Sequence, residues 1–112
     1  MNIETFSIIG PVLFTPKFHK DARGFFSETF KLSAFEEAVE TQYKFVQDNL
    51  SVSVAKDTIR GLHFQAPPHA QGKLVSCQRG TITDIIVDIR KSSPTYGDHL
   101  AVGLSADSRA QL

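Results

Sequence analysis

Lys73-Leu74-Val75-Ser76-Cys77-Gln78-Arg79-Gly80-Thr81-Ile82-Thr83-Asp84-Ile85-Ile86-Val87-Asp88-Ile89-Arg90 is the stretch on which the fold reading turns. Two strand-like runs, 73–78 and 81–90, are divided by Arg79-Gly80, a short turn whose glycine accepts a positive φ. That pattern predicts a hairpin. In the second run Thr83, Ile85, Val87 and Ile89 point one way, and Ile82, Asp84, Ile86, Asp88 and Arg90 the other. The latter face mixes carboxylates with isoleucines, so it is either a solvated outer face or the lining of a cavity. Charged residues are mostly exposed, which favours the solvated face.

The same texture extends outward through the chain. Short apolar runs at 6–9, 12–18, 24–30, 45–53, 58–65 and 99–104 are punctuated by Pro, Gly, Asn and Asp. With the two runs of the hairpin they predict eight strands, an all-β jelly roll or cupin-like double-sheet barrel. One short helix interrupts them. Ser33 and Glu36 have capping-box spacing, and Phe35, Ala38 and Val39 form an apolar face at i, i+3 and i+4 that should pack on a sheet.

The 112 residues make one domain by length, with no repeat or linker, so a single domain over 1–112 is expected. Twelve basic and twelve acidic residues give a formal net charge of zero, which argues against nucleic-acid or membrane-surface binding by bulk electrostatics. No apolar run approaches the roughly 20 residues that cross a bilayer. Glu4 and the lack of a basic-then-apolar start leave no secretory signal, and the single cysteine, Cys77, has no internal disulfide partner. A cytoplasmic location is the expectation.

Several polar blocks exceed what a plain β-sandwich needs: Arg23-Gly24-Phe25-Phe26-Ser27-Glu28, Gln47-Asp48-Asn49-Leu50-Ser51, Arg60-Gly61-Leu62-His63-Phe64-Gln65, Gln71-Gly72-Lys73-Leu74-Val75, Val87-Asp88-Ile89-Arg90 and Ser93-Pro94-Thr95-Tyr96-Gly97. In this order and spacing they resemble the dTDP-4-dehydrorhamnose 3,5-epimerase family, over nearly the whole chain. The resemblance implies epimerisation of dTDP-4-dehydro-6-deoxy-D-glucose to dTDP-4-dehydro-L-rhamnose, by proton removal beside the C4 ketone and return on the opposite face. Such chemistry needs a base, an oxyanion holder, an acid and a clamp for the nucleotide, with no metal or redox cofactor.

On that resemblance His63 is the base, since a neutral imidazole is available near neutral pH; the plainer alternative is a hydrogen-bonded strand histidine. Lys73 holds the oxyanion, because a fixed ammonium stabilises an enolate more than a ketone. Arg23 and Arg60 suit a pyrophosphate through their bidentate forks, the alternative being surface ion pairs. Glu28, Gln47 and Asn49 match positions that bind the nucleotide and its linker, although Gln47 and Asn49 also suit turns. Phe26 either stacks on thymine or fills the core. Asp84 is expected to support Lys73 or His63 from a facing strand. Arg60 and His63 would face opposite sides of a regular strand, so a shared site requires irregular pairing near Gly61. His19, His69 and His99 read as surface residues.

Cupin metal chemistry is the rival. The corresponding place reads His63-Phe64-Gln65, with Gln at the second ligand position, and the remaining His supply no metal set. The resemblance also implies a homodimer binding a dTDP-sugar. Family members continue beyond Leu112, and that further stretch carries the proton-donating Tyr, a second His and an Asp paired with the base. Tyr43 and Tyr96 match none of these. The fold is therefore expected to be incomplete at its C-terminus. A dTDP-sugar-binding fragment without turnover and a single-carbon epimerase stand as alternatives.

Overall fold

The computed structural model describes residues 1–112 as three two-stranded antiparallel sheets and one helix. Strands β1 (Asn2–Thr5) and β2 (Val12–Thr15) pair from Asn2 opposite Thr15 to Thr5 opposite Val12. The alternation of β2 turns Val12 and Phe14 inward while β1 stays exposed. β3 (His19–Asp21) and β4 (Gly24–Phe26) form a tight hairpin with Asp21 opposite Gly24. Gly24, at φ +135°, supplies a backbone conformation that a side chain resists.

Helix α1 (Leu32–Val39) follows, and the expected apolar face is the one it uses. Phe35 is buried against Val12 and Phe14, with Ala38, Val39, Leu74 and Met1 around them. Its start differs from the expected capping box. Lys31 occupies the N-cap without any side-chain capping bond, which puts Ser33 inside the first turn, where its hydroxyl cannot cap. The helix stops at Glu40, in the left-handed conformation at φ +53°.

The expected hairpin across Arg79-Gly80 does not form. β5 (Thr81–Val87) instead pairs with β6 (His99–Ser105) over seven residues, from Thr81 opposite Ser105 to Val87 opposite His99. Gly80 accepts a bond from the Ala106 amide at 3.0 Å, continuing that ladder around the bend. The run 73–78 turns away to the last residues of the chain. Val75 and Leu112 exchange backbone bonds of 2.8 and 3.0 Å, and Phe14 and Gln111 exchange another pair of 2.8 and 2.9 Å. The end of the chain thus lies between β2 and residue 75. Around this junction Cys77, Val102, Leu104, Ala110 and Leu112 form the larger core cluster, with Ile86, Leu100, Val75, Leu13 and Phe6 against it.

The faces of β5 also differ from expectation. Ile86 packs on the core while Ile85 is 48% exposed, and Asp88, next along the inward face, is among the most buried residues. The carboxylate-bearing face is the inner one because Asp88 is fully satisfied there. It accepts bonds from Arg90 N, Nε and Nη2 at 3.0, 2.8 and 2.9 Å and from the Ser93 and Thr95 hydroxyls at 2.5 and 2.7 Å. A buried carboxylate with that many donors pays no desolvation without return.

Six strands form, not eight, and they do not close into a barrel. The expected strands at 45–53 and 58–65 are absent as ladders: every residue from 41 to 73 is exposed. The chain presents 9072 Å² to solvent, against about 6,100 Å² for a compact protein of this size. Its radius of gyration is 15.3 Å, where a compact chain would have about 13 Å. The difference lies in this arm, whose apolar groups meet no second layer.

Candidate active site

The site residues suggested by sequence fall into three places. Arg23 stands at the tip of the β3–β4 turn, where its guanidinium pairs with Asp21 at 2.6 Å and its amide donates to Asp21 Oδ1 at 2.8 Å. The Arg23 side chain holds the Asp21 carboxyl below the usual carboxylate range. Phe26 closes β4 at 73% exposure, so it does not fill the core. Glu28, just beyond, is also exposed.

The arm carries the second group. Residues 45–53 and 58–65 are its two limbs, joined by a turn in which Asp57 takes φ +60°. Arg60 braces the limbs by donating Nε to Ser53 Oγ at 3.2 Å and Nη2 to the Val52 carbonyl at 3.1 Å. Gln47 Nε2 donates to Asn49 Oδ1 at 2.9 Å, so these two side chains act as a pair. His63 and Lys73 are exposed on the second limb and at the end of the arm. No strand ladder runs through Arg60–His63, so the alternation that would separate them does not apply.

Asp84 is the third. It lies on β5 opposite Val102, half-buried. The expected route to Lys73 through facing strands fails, because the run containing Lys73 does not pair with β5. The ion pairs of the structure are Arg23–Asp21 and Arg90–Asp88. Shallow depressions lie beside Phe35 and beside Arg109, and none of the suggested residues lines either. No three His, Cys, Asp or Glu side chains converge as a metal set, and no helix is long and apolar enough to cross a membrane.

Sequence reasoning gave no role to the Asp88 network, although its members stand in two of the quoted blocks. Asp88 and Arg90 come from Val87-Asp88-Ile89-Arg90, and Ser93 and Thr95 from Ser93-Pro94-Thr95-Tyr96-Gly97. The Arg90 guanidinium, then the Ser93 hydroxyl, hold the Asp88 carboxyl far below the ordinary range. Together with the Gly97 N–H donating to the Asp88 carbonyl at 2.8 Å, they lock the loop that turns β5 into β6.

The family profile described as dTDP-4-dehydrorhamnose 3,5-epimerase matches residues 5–112. The chain belongs to the dTDP-4-dehydrorhamnose 3,5-epimerase family. It is 51% identical to the epimerase of that name from Shigella flexneri over 112 residues, all of this chain and 61% of that one. Two solved epimerases share its fold. The enzyme from Elizabethkingia anophelis superposes with a TM-score of 0.92 at 38% identity, covering 99% of this chain and 60% of that one. That of Legionella pneumophila, solved with dTDP-4-keto-L-rhamnose, gives 0.89 at 43% identity, covering 98% and 57%. The chain therefore spans about three fifths of the epimerases it matches.

Proposed function

We propose that the chain carries the N-terminal part of a 3,5-epimerase site for dTDP-4-dehydro-6-deoxy-D-glucose. His63 takes the proton from C5, and then from C3. The electron pair moves toward C4 and the carbonyl becomes an enolate oxyanion held by the Lys73 ammonium; a proton returned to the same carbon from the opposite face, in the family by a tyrosine beyond the stretch matched here, restores the ketone with inverted configuration. Arg23 and Arg60 take the diphosphate; Glu28, Gln47 and Asn49 take the nucleotide and linker, and Phe26, already exposed, stacks on thymine. The observation that carries the reading is the family match across residues 5–112, which contains every residue named.

In the same proposal the arm becomes two strands of a jelly-roll, cupin-like barrel when a second layer covers it, and that layer comes in part from a second copy in a homodimer. Support comes from the Arg60 brace between the limbs and from the exposed apolar groups Val46, Leu50, Val52, Ile59, Leu62 and Phe64, each at least 69% exposed. Apolar surface of that extent marks an association site.

Proton NMR of dTDP-4-keto-6-deoxyglucose in D₂O with this chain tests the chemistry. Deuterium entering C5 or C3, and none with His63→Ala, is the expected result. Nucleotide binding without exchange would instead identify a dTDP-sugar-binding module.

A further inference from the structure

Gly72 immediately precedes Lys73, and its φ lies outside the left-handed region, so the backbone itself makes no demand for glycine. What refuses a side chain there is Tyr43. A Cβ on Gly72 would lie 2.6 Å from Tyr43 Cε1 and 3.3 Å from both Cδ1 and Cζ. Real Cβ atoms do not approach that closely, so either the ring or the backbone would have to move.

The ring is packed on one flank, although it is 40% exposed overall. It meets Phe35 edge-on at a centroid distance of 5.8 Å and stacks on Phe45 at 6.3 Å, and Phe35 is buried against Phe14 and Val12. Tyr43 and Gly72 stand at opposite ends of the exposed arm, 29 positions apart in sequence. Their contact closes the arm at its base and ties the end that bears Lys73 to helix α1. The contact is made by ring carbons and does not use the hydroxyl.

We propose that Tyr43 is a positioning residue for Lys73: its ring fills the space of the missing Gly72 side chain and fixes the backbone from which the Lys73 ammonium projects. This rests on Lys73 holding the oxyanion. A residue acting through such a contact affects the step in which charge develops on oxygen, and leaves ground-state binding largely alone.

The test uses the whole 112-residue chain with Gly72→Ala, Tyr43→Ala, Tyr43→Phe and the Gly72→Ala/Tyr43→Ala double variant. Deuterium exchange into dTDP-4-keto-6-deoxyglucose is expected to lose roughly ten- to a hundredfold in kcat with Gly72→Ala or Tyr43→Ala, the scale of a misplacement near 1 Å. KM stays within about twofold. Tyr43→Phe, which keeps the ring, restores what Tyr43→Ala loses. The double variant falls no further than the worse single one, because the two changes break the same contact.

Two NMR signals give a readout that does not need turnover. The Gly72 α-protons carry a ring-current shift that Tyr43→Phe keeps and Tyr43→Ala abolishes. The Lys73 amide moves further with Gly72→Ala beside Tyr43 than with the same substitution in the Tyr43→Ala background, where only the effect of the covalent neighbour is left. Losses that multiply in the double variant, or equal losses in Tyr43→Phe and Tyr43→Ala, overturn the proposal. So do α-protons indifferent to the ring. If the unsubstituted chain exchanges no deuterium, the epimerase reading fails, and the two NMR signals alone decide the positioning.

Discussion

Neighbouring isoleucines on β5 provide a direct measurement of which face of the strand is the core. Sequence alternation with a solvated carboxylate face puts Ile85 inside, whereas the structure puts Ile86 inside, against the cluster of Val102 and Leu104. Ile→Ala removes three carbon groups, worth about 0.8 kcal/mol each when fully buried, or about 2.4 kcal/mol. Ile85 is 48% exposed, so its truncation forfeits about half of that, roughly 1.2 kcal/mol, and leaves no cavity because one side already faces water. Ile86 loses most of the transfer contribution and adds a cavity beside Leu104, for about 2–3 kcal/mol. Urea denaturation followed by circular dichroism measures both, compared at equal slope so that the denatured state is held constant. Ile86→Ala should cost about 1–2 kcal/mol more than Ile85→Ala. Equal costs, or the reverse order, would refute the inward placement of the Asp84–Ile86–Asp88 face.

The other outcomes concern the Asp88 network and the aromatic core. The Asp88 carboxyl is held far below its ordinary value by Arg90 and Ser93, so its contribution is present above the unfolded value of about 3.9 and is lost as pH falls below it. Asp88→Asn should therefore take about one proton out of the acid-limb dependence of stability, read from urea midpoints between about pH 4 and pH 2; an unchanged limb would contradict the hold of Arg90 and Ser93 on this carboxylate. Phe35 touches Phe14, Phe30, Tyr43 and Phe45 at centroid distances of 5.3 to 5.8 Å. Phe35→Ala should cost about 3–5 kcal/mol and melt α1 with the β1–β2 sheet, visible in far-ultraviolet circular dichroism. A loss below about 1 kcal/mol would mean that the cluster does not hold the helix.

The sequence was legible where structure depends on near neighbours. The apolar face of α1 and the strands that begin at Val12 and at Gly24 follow from spacings of a few residues, and the structure contains them. It misled where a strand's partner had to be chosen. Arg79-Gly80 is good hairpin chemistry, yet β5 takes β6, because the Asp88 network holds the two strands together through their connecting loop. The prior that charged residues lie outside failed for the same reason: it takes no account of Arg90, Ser93 and Thr95 supplying donors to one carboxylate.

The family was legible through the blocks, whereas the geometry of the candidate site was not, and the reason is physical. Strands of the length suggested at 45–53 and 58–65 need a neighbour for their backbone groups and a second layer for their apolar side chains. Neither is within this chain, so Arg60 and His63 sit on an open arm although their local sequence is strand-like. Only its base is fixed, at Tyr43, Phe45 and Gly72, and Lys73 stands directly beyond that base. Of the groups proposed for chemistry, Lys73 is thus held by the fold of this chain itself, while His63 awaits a covering surface. If His63 is the base, as proposed above, its placement on the open arm limits the chemistry, and the covering layer proposed with it is what would bring His63 to bear.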